Sequence, residues 1–334
     1  MDDLEASVDR VAVATGFSGV VRVDRDGRVE LAKAYGLAHR GWGIPIAVDT
    51  RFGIASGTKA LTALTVMSLV EQGLLDLGTR ARSLLGEDLP LIDDDVTIEH
   101  LLAHRSGIGD YFDEDVVESM TDYVMPIPVH RLATTSDYLV VLDGHEQKFA
   151  PGERFAYNNS GFVVLALIAE RAGGMPFPEL VRTRVCDPAG MPDTEFLRSD
   201  EPRNRVALGY LDGESLQTNV LHLPVRGSGD GGVCTTAADV HALWSALHAG
   251  RIVPADRLAQ MVRPRSDVPS ESMRCGLGFW LHPTSDAVIL DGADAGVSFR
   301  SVDDAATGVT HTVLSNTTEG AWPVARRLGE LLTP

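Results

Sequence analysis

The order of strand and helix patterns along the chain constrains the fold more than any other feature. Apolar runs typical of strands occur near both ends, and helical runs broken by proline and glycine fill the middle. The strand patterns cover residues 17–23, 29–32, 276–281, 287–290, 297–301 and 309–314, and the clearest helical patterns cover residues 4–15, 161–172, 238–249 and 322–332. Because strands need hydrogen-bonded partners, we expect one sheet built from both ends of the chain.

This distribution predicts an α/β (α+β) fold with an inserted helical region. The first two strand patterns are joined by Asp26-Gly27, a dipeptide typical of a tight β-hairpin. We therefore predict antiparallel strands, flanked by the helices of the two chain ends. The predicted sheet domain comprises residues 1–60 and 230–334, and the predicted, mainly helical domain comprises residues 61–229.

Composition excludes several classes of partner. Apolar residues make up 44% of the 334-residue chain, which suits a packed core, and the formal net charge is −18. Such acidity argues against nucleic acid and against an anionic membrane surface. The three widely spaced cysteines indicate neither a disulfide framework nor a zinc site, so no metal or cofactor is expected. The acidic start of the chain lacks an apolar signal segment, so we expect a cytoplasmic protein.

Ser56 and Lys59 are the strongest candidates for chemistry. They stand where an apolar helical segment begins, three residues apart, so their side chains share one helix face. Burial lowers the pKa of an amine, and a neutral lysine can take a proton from a serine hydroxyl. The helix N-terminus also favours an oxyanion. The alternative is a serine that only caps the helix, because Ser-x-x-Lys often occurs by chance.

Tyr157 and Asn159 form a second candidate pair, just before the helical pattern 161–172. Side chains two residues apart in an extended segment point the same way. A phenol near a cationic lysine has a lowered pKa and can relay protons, and an amide can hold a substrate carbonyl and the lysine. The alternative is a surface loop with a packed tyrosine.

Three other segments indicate structure rather than chemistry. His104 lies only two residues from a serine, too close for a convincing catalytic pair, and is expected to be structural. The segment 227–232 reads GSGDGG and matches a nucleotide-binding motif by letter, but no strand–helix unit surrounds it, so we predict a glycine turn. The acidic run 93–95 lacks the pattern of a calcium loop and is expected to be a solvated turn.

These motifs resemble those of the serine β-lactamase and penicillin-binding-protein superfamily, especially class C β-lactamases, DD-peptidases and family VIII carboxylesterases. Related enzymes are known examples of the Ser-x-x-Lys motif. In the class C branch Tyr-x-Asn replaces Ser-Asp-Asn, and about a hundred residues separate the two motifs here. Further segments match in order, and they are LLAHRSGI at 101–108, PGERFAYNNSG at 151–161, DPAGMPDT at 187–194 and GGVCTTAAD at 231–239.

The resemblance implies a β-lactamase/transpeptidase-like fold with the active site between its two domains. It also implies that Ser56 forms an acyl-enzyme, while Lys59 and Tyr157 share general acid and base duties. Asn159 would hold Lys59 and the acyl side of the substrate. The Ser56 N–H and a second N–H, expected from Ala293, would form the oxyanion hole. The candidate residues are Ser56, Lys59 and Tyr157 for catalysis and Asn159, Gly292, Ala293 and Asp294 for orienting the substrate.

The chain departs from the family at its third motif, Lys-Thr-Gly or His-x-Gly. The basic position of that motif falls on Leu290 or Gly292, so it offers no cation for a substrate carboxylate. The neighbouring Asp291 and Asp294 would repel a carboxylate. Arg300 is the nearby residue that could substitute for the missing cation.

We therefore expect a serine hydrolase that acts on a small-molecule ester or amide substrate. Penicillins and D-Ala-D-Ala termini both carry a carboxylate, so a β-lactamase or D-stereospecific peptidase is the first alternative. An acyltransferase of natural-product metabolism is another, because an amine or alcohol can intercept the acyl-enzyme. A catalytically silent binding protein on the same fold is the alternative from a different class. The sequence indicates neither the acyl and leaving groups nor the oligomeric state.

Overall fold

The computed structural model describes residues 4–117 and 119–332, and the described residues form thirteen β-strands and eleven α-helices. The strands are β1 Gly19–Arg25, β2 Arg28–Tyr35, β3 Leu37–His39, β4 Ile44–Pro45, β5 Phe52–Gly53, β6 Glu195–Phe196, β7 Val233–Thr235, β8 Ser266–Val268, β9 Met273–Cys275, β10 Trp280–Leu281, β11 Val288–Asp294, β12 Val297–Asp304 and β13 Val309–Ser315. The helices are α1 Leu4–Thr15, α2 Thr58–Glu71, α3 Ala81–Leu85, α4 Ile98–Leu102, α5 Leu139–Leu142, α6 Asn159–Gly173, α7 Phe177–Val181, α8 Asp187–Ala189, α9 Ala237–His248, α10 Ala255–Met261 and α11 Ala321–Leu332. Short 3-10 turns cover Ala55–Gly57, Val129–Arg131, Thr135–Tyr138, Asn219–Leu221 and Pro269–Glu271, and a π-helical turn covers Arg182–Cys186.

The two ends of the chain build one antiparallel sheet of eight strands. Its order is β2-β1-β13-β12-β11-β10-β9-β8, so β1 from the N-terminal part pairs directly with β13 from the C-terminal part. In that pairing Gly19 lies opposite Ser315 and Arg25 lies opposite Val309. The predicted α+β fold with a sheet from both ends is therefore confirmed. The domain division at residues 60 and 230 stays a prediction.

The hairpin between β1 and β2 turns where the sequence predicts it. Asp26 and Gly27 both have positive φ, 50° and 72°, which suits a two-residue hairpin loop. The predicted strand 276–281 is shorter than expected and begins at Trp280. A Cβ on Gly276 would lie 2.3 Å from the Met261 carbonyl oxygen, so this stretch packs against a helix end instead of pairing. Strands β8 and β9, three residues each, are too short to show an alternating pattern and were not predicted.

Helices cover both faces of the large sheet. On the outer face α1 and α11 pack against the sheet through a cluster that includes Val8, Val21, Val313 and Leu328. On the inner face the larger core surrounds α2, in which every residue from 58 to 70 is buried. A helix that is buried all round lies at the centre of a core. The residues just before α2 are therefore held rigidly between the sheet and the helical region.

One feature of the helices bears on membranes. No single helix among residues 4–117 and 119–332 is long and apolar enough to cross a bilayer, although the bent pair Asn159–Gly173 and Phe177–Ala189 would meet the length and composition criteria together. Within α6 all residues from 159 to 169 are buried against the rest of the protein. The apolar surface of that helix is thus covered by the core.

Candidate active site

Ser56 lies in the 3-10 turn that leads into α2. Gly57, not Ser56, stands at the N-cap of α2, and neither helical segment has a side-chain cap. The interpretation of Ser56 as a helix cap is therefore wrong. Ala55 has a positive φ of 44°, an unusual conformation for alanine. Two hydrogen bonds hold the turn in place. The Ile54 N–H donates to the Val233 carbonyl at 3.0 Å, and the Gly57 N–H donates to the Ile54 carbonyl at 2.8 Å. Strained backbone of this kind is common beside reacting groups.

Lys59 joins three separate parts of the site. Its Nζ lies 2.8 Å from Ser56 Oγ, 2.7 Å from Asn159 Oδ1 and 3.0 Å from the Asp230 backbone carbonyl oxygen. The residue is 4% exposed, and this burial lowers the pKa of the amine. A neutral amine can donate to the amide and carbonyl oxygens while its lone pair accepts the Ser56 hydroxyl proton. The arrangement predicted for Ser56 and Lys59 is present.

Tyr157 also reaches Ser56, but its acidity differs from the prediction. Burial raises the pKa of the phenol well above its ordinary value, the charge of Glu114 adds to this, and a hydrogen bond with the Ser56 side chain only partly opposes it. The predicted lowering of this pKa is therefore wrong. It assumed a cationic lysine, whereas burial also disfavours the charge on Lys59, whose Nζ lies 4.9 Å from the ring centroid. Tyr157 consequently keeps its proton at neutral pH and can donate it.

Aromatic rings hold Tyr157 in place. His104 stacks on one side with ring centroids 4.5 Å apart, and Trp280 of β10 stacks at 5.9 Å with an interplanar angle of 11°. His104 Nδ1 accepts the Asn158 N–H at 3.0 Å, and burial lowers the pKa of this histidine well below its usual range. A neutral histidine that orients the Tyr157 segment fits the structural role predicted for His104.

Asn159 is bound to a segment that the sequence did not single out. Its Nδ2 donates to the Phe112 carbonyl at 2.9 Å and to Glu114 Oε1 at 3.0 Å. Asp110 accepts from the N–H groups of Asn159 (2.6 Å) and Ser160 (2.9 Å), which lie at the start of α6. The segment 110–114 directly follows the 101–108 motif, and this proximity is the only sequence signal that could have identified it.

The glycine turn at 227–232 contributes to the site through its backbone. The Asp230 carbonyl accepts from Lys59, while the Asp230 carboxylate accepts from the Tyr111 hydroxyl at 2.5 Å. Thr62 of α2 donates to the Gly229 carbonyl at 2.6 Å. The turn is tight, with Gly232 at a φ of 94°. It therefore orients Lys59, in agreement with the prediction that it is a turn and not a nucleotide loop.

We call Lys59, Tyr157 and Asn159 the helical wall of the cleft.

The facing wall is formed by β11, and we call Leu290, Gly292 and Asp294 the strand wall. A Cβ on Gly292 would lie 2.2 Å from the Ile54 carbonyl oxygen and 2.9 Å from the Ser56 nitrogen, so only glycine fits there. Leu290 is 2% exposed and belongs to the core. Neither position of the missing third motif can thus present a cation. Ala293 follows Gly292 directly, and its N–H stays a predicted oxyanion donor.

Arg300 does not replace the missing cation. It lies opposite Asp291 in the β11–β12 pairing and forms an ion pair with it. Its guanidinium carbon lies 5.3 Å from the ring centroid of Trp322, in α11 on the outer face of the sheet. Because side chains alternate along a strand, this face is opposite to that of Gly292 and Ser56. The suggested substitution by Arg300 is therefore wrong. Asp291 borders the cavity beside Ser56, but its carboxylate is directed to Arg300.

Asp294 does face the site. It lies two residues beyond Gly292 on the same face of β11, and its Oδ1 accepts the Ala295 N–H at 2.7 Å. Burial, with a smaller contribution from the charges of Glu114 and Asp230, raises the pKa of Asp294 to about 7, although the Ala295 N–H and Lys59 oppose the shift. Within the part of the chain that the structure describes, no group of histidine, cysteine, aspartate and glutamate side chains is arranged to hold a metal ion.

Fold and site together define a protein of the penicillin-binding-protein-like fold class. The sheet, the central helix behind Ser56 and the Tyr157 loop all belong to that architecture. The chain belongs to the Beta-lactamase family, whose family model matches residues 5–332. The resemblance inferred from the motifs is confirmed.

The chain is similar both to penicillin-binding proteins and to a protein named as an esterase. The crystal structure of a penicillin-binding protein from Bacillus halodurans has a TM-score of 0.91 and 32% identity, over 97% of this chain and 100% of that one. Esterase EstB of Burkholderia gladioli is 34% identical over 227 residues, which cover 63% of this chain and 55% of EstB. Penicillin-binding protein 4* of Bacillus subtilis strain 168 is 30% identical over 247 residues, covering 70% of this chain and 52% of that protein. The matches span about half the length of these two curated relatives.

Proposed function

We propose that the protein is a serine hydrolase that cleaves esters or small amides through an acyl-enzyme on Ser56. The side chains of the strand wall are the observation that supports this substrate class. Gly292 and Leu290 present no cation, and Asp294 offers a carboxylate. Without a cation at Leu290 or Gly292, the site has no counter-ion for the carboxylate that penicillins and D-Ala-D-Ala termini carry on their leaving group. The 34% identity to a protein named as an esterase supports the same choice.

The proposed acylation step uses the contacts already described. Neutral Lys59 accepts the Ser56 hydroxyl proton as Oγ attacks the substrate carbonyl carbon. The carbonyl π electrons move to oxygen, and the resulting oxyanion is stabilised by the backbone N–H groups of Ser56 and Ala293. As the tetrahedral intermediate collapses, Tyr157 donates its proton to the leaving oxygen or nitrogen. The Lys59 ammonium then returns the proton to Tyr157, which restores both groups.

Deacylation repeats these roles with water as the nucleophile. Neutral Lys59 takes a proton from the water as its oxygen attacks the acyl carbon, and Tyr157 donates its proton to Oγ as the ester bond to Ser56 breaks and the acid leaves. The Lys59 ammonium then returns its proton to Tyr157. Asn159 keeps the Lys59 amine in place through its Oδ1 in both steps. Its Nδ2 already donates to Phe112 and Glu114, so we do not assign Asn159 the role of holding the acyl side of the substrate that the family resemblance implies.

Intact mass after reaction tests the proposal. The protein is incubated separately with 4-nitrophenyl butanoate and with a penicillin, and the adducts are mapped. We expect a butanoyl adduct on Ser56 or ester turnover that depends on Ser56, with much slower acylation by the penicillin. Ser56→Ala should abolish both, whereas Ser245→Ala, on the exposed side of α9, should not.

Two outcomes would contradict this assignment. Full ester hydrolysis by Ser56→Ala would remove Ser56 as the nucleophile. Acylation by the penicillin at a rate equal to that of the ester would show that the strand wall accepts a carboxylate, and would favour a β-lactamase or peptidase.

A further inference from the structure

The two ends of β11 lie beside different parts of the cleft. Ile289, near the start of β11, pairs with Trp280, which stacks on Tyr157. Asp294 is the last residue of β11, and Gly292 lies between, against the Ser56 nitrogen. Because Tyr157 protonates the leaving group in the proposed mechanism, the leaving group lies toward the start of β11. The acyl group then extends toward Asp294.

The acyl end of the cleft presents hydrogen-bond acceptors. Both Nδ2 hydrogens of Asn159 are taken by Phe112 and Glu114, so its amide offers no donor. Glu114 uses Oε1 in that contact, and Asp294 uses Oδ1 to accept the Ala295 N–H. The second oxygen of each carboxylate receives no hydrogen bond from the described residues. A substrate group bound here must therefore supply donors.

The carboxyl groups around Lys59 also favour a ligand that donates hydrogen bonds. The carboxylates of Asp230, Glu114, Asp110 and Asp294 all act on Lys59, and burial favours the neutral form of its amine. Of these four carboxylates, Asp110 and Asp230 are already engaged by backbone N–H groups and by Tyr111 respectively. Glu114 is exposed to solvent and Asp294 is partly exposed, so a ligand can reach both. With the Lys59 amine neutral, no positive charge balances these carboxyl groups, and each one that ionises favours a cationic ligand.

We infer that Asp294 and Glu114 bind an ammonium group on the acyl part of the substrate. The preferred substrates are then esters or amides of short amino-substituted acids, rather than neutral or carboxylate-bearing acyl groups. Two strand residues advance about 7 Å, a span that an acyl chain of a few carbons covers from the oxyanion position near Gly292 to Asp294. This inference rests on the proposed function, because it assumes acylation of Ser56.

The test compares three acyl groups of similar size on one leaving group. The substrates are the 4-nitrophenyl esters of 3-aminopropanoate, butanoate and hydrogen succinate, which carry a cation, a methyl group and an anion at the acyl end. Ser56 acylation is followed by intact mass, and kcat/KM by nitrophenolate release. We expect the ammonium ester to exceed the neutral ester by about tenfold in kcat/KM, and the anionic ester to be the poorest.

Variants then locate the preference. Asp294→Asn should lower the ratio of ammonium to neutral kcat/KM by about tenfold, and Glu114→Gln should lower it by roughly threefold. Asp267→Asn removes an exposed carboxylate from β8 of the same sheet and should leave the ratio unchanged. A ratio near one in the wild type, or an unchanged ratio in Asp294→Asn, would overturn the inference.

The outcomes that reject the ammonium preference can be distinguished from those that reject the proposed function. Neutral-ester hydrolysis that depends on Ser56, without an ammonium preference, would leave the hydrolase intact and reject only the ammonium subsite. If none of the three esters acylates Ser56, the proposed function is rejected, and the subsite is rejected with it.

Discussion

The two walls of the cleft differ in how completely their polar groups are engaged. In the helical wall, Lys59 Nζ has three hydrogen-bond partners within 3.0 Å, and Asn159 uses both its side-chain oxygen and its side-chain nitrogen. In the strand wall, Gly292 has no side chain, Leu290 is buried in the core, and Asp294 has one partner for two oxygens. Groups that must react are held tightly, and groups that face the substrate are not.

This difference separates chemistry from recognition. The helical wall keeps the lysine, tyrosine and asparagine to which the family resemblance assigns proton transfer and positioning, whereas the strand wall lacks the family's cation. A change confined to the strand wall alters which substrates bind without removing the nucleophile or its base. The following variants test that separation, starting with the largest expected effect.

Removing the Lys59 amine should cause the largest loss. Lys59→Ala leaves Ser56 without its base, and we expect kcat/KM for 4-nitrophenyl butanoate to fall by roughly 10³- to 10⁵-fold. Primary alkylamines added to the buffer should restore part of the activity of this variant, because they can occupy the vacated volume and accept the proton. The measurement is ester turnover with and without the amine, beside a thermal melting curve.

A merely structural role for Lys59 predicts a different result. In that case the variant would melt well below the wild type, and added amines would not restore turnover. Hydrolysis at more than a tenth of the wild-type rate without added amine would show that another group deprotonates Ser56.

Filling the space at Gly292 should give the next largest effect. In Gly292→Ala the new Cβ would clash with the Ile54 carbonyl oxygen at 2.2 Å and crowd the Ser56 nitrogen at 2.9 Å. We expect kcat to fall by roughly 10²- to 10³-fold as the oxyanion hole is displaced, and stability to fall by about 1–3 kcal/mol. Gly213→Ala is the matched control, because a Cβ there meets no atom within 4 Å. Wild-type kcat in Gly292→Ala would show that the strand wall does not border the reacting carbonyl.

Much of the fold was predictable because its signals are local. Hydrophobic periodicity and the Asp26-Gly27 turn gave the β1–β2 hairpin, and the strand patterns at both ends gave the sheet. Ser56 and Lys59 were found because three residues of helix fix their relation whatever the rest of the chain does. Short strands such as β8 carry too few residues to show a pattern.

The rest of the site depends on long-range contacts that leave little trace in a sequence. The Asp230 contact to Lys59 is made by a backbone carbonyl, which every residue possesses. Asp110 is recognisable as an anchor of α6 only once the loop is placed beside Asn159. The pKa of Tyr157 was predicted in the wrong direction because its burial, which outweighs the nearby lysine, is a property of the assembled fold.

Disturbing the Asp110 anchor should reduce turnover more modestly. In Asp110→Asn only one oxygen remains for the N–H groups of Asn159 and Ser160, so Asn159 and Lys59 should shift slightly. We expect kcat to fall by roughly 10- to 30-fold with little change in KM, and stability to fall by about 1–3 kcal/mol. Steady-state kinetics and a melting curve measure both.

Asp137 offers a control of the same chemistry, because its hydrogen bonds go to Ala133 and Thr134 and not to residues of the cleft. Its Oδ2 accepts from the N–H groups of Ala133 and Thr134. Asp137→Asn should lower stability in a similar way without lowering kcat. Equal losses of kcat in the two variants would show that Asp110 acts only through overall stability.

The pH dependence of substrate preference should be smaller again. The pKa of Asp294 is raised to about 7, and Glu114, Asp230 and Lys59 are the charged groups that act on it. As pH rises from 6 to 8 the carboxyl loses its proton and attracts the substrate ammonium, so the ammonium-to-neutral ratio of kcat/KM should rise by roughly three- to tenfold. Asp294→Asn should flatten this profile. A ratio that falls with rising pH would contradict the role of Asp294.

The smallest effect on activity is expected for Arg300, although it is the cation nearest in sequence to the strand wall. Its ion pair with Asp291 and its contact with Trp322 place it on the outer face of the sheet. In Arg300→Gln we expect kcat/KM to stay within about threefold of the wild type for the ammonium, neutral and anionic esters alike. Stability should fall by about 1–3 kcal/mol, because Asp291 loses its ion-pair partner in a largely buried position.

The hydrogen succinate ester tests whether Arg300 contacts a substrate carboxylate. If Arg300 reached a substrate carboxylate, Arg300→Gln would lose at least tenfold on the hydrogen succinate ester while sparing the other two. The double variant Arg300→Leu/Asp291→Leu removes both charges of the pair and should recover stability without changing the order of the three esters. That result would show that the strand wall selects substrates by the groups on its inner face, because a charge one residue out of register lies on the opposite side of the sheet.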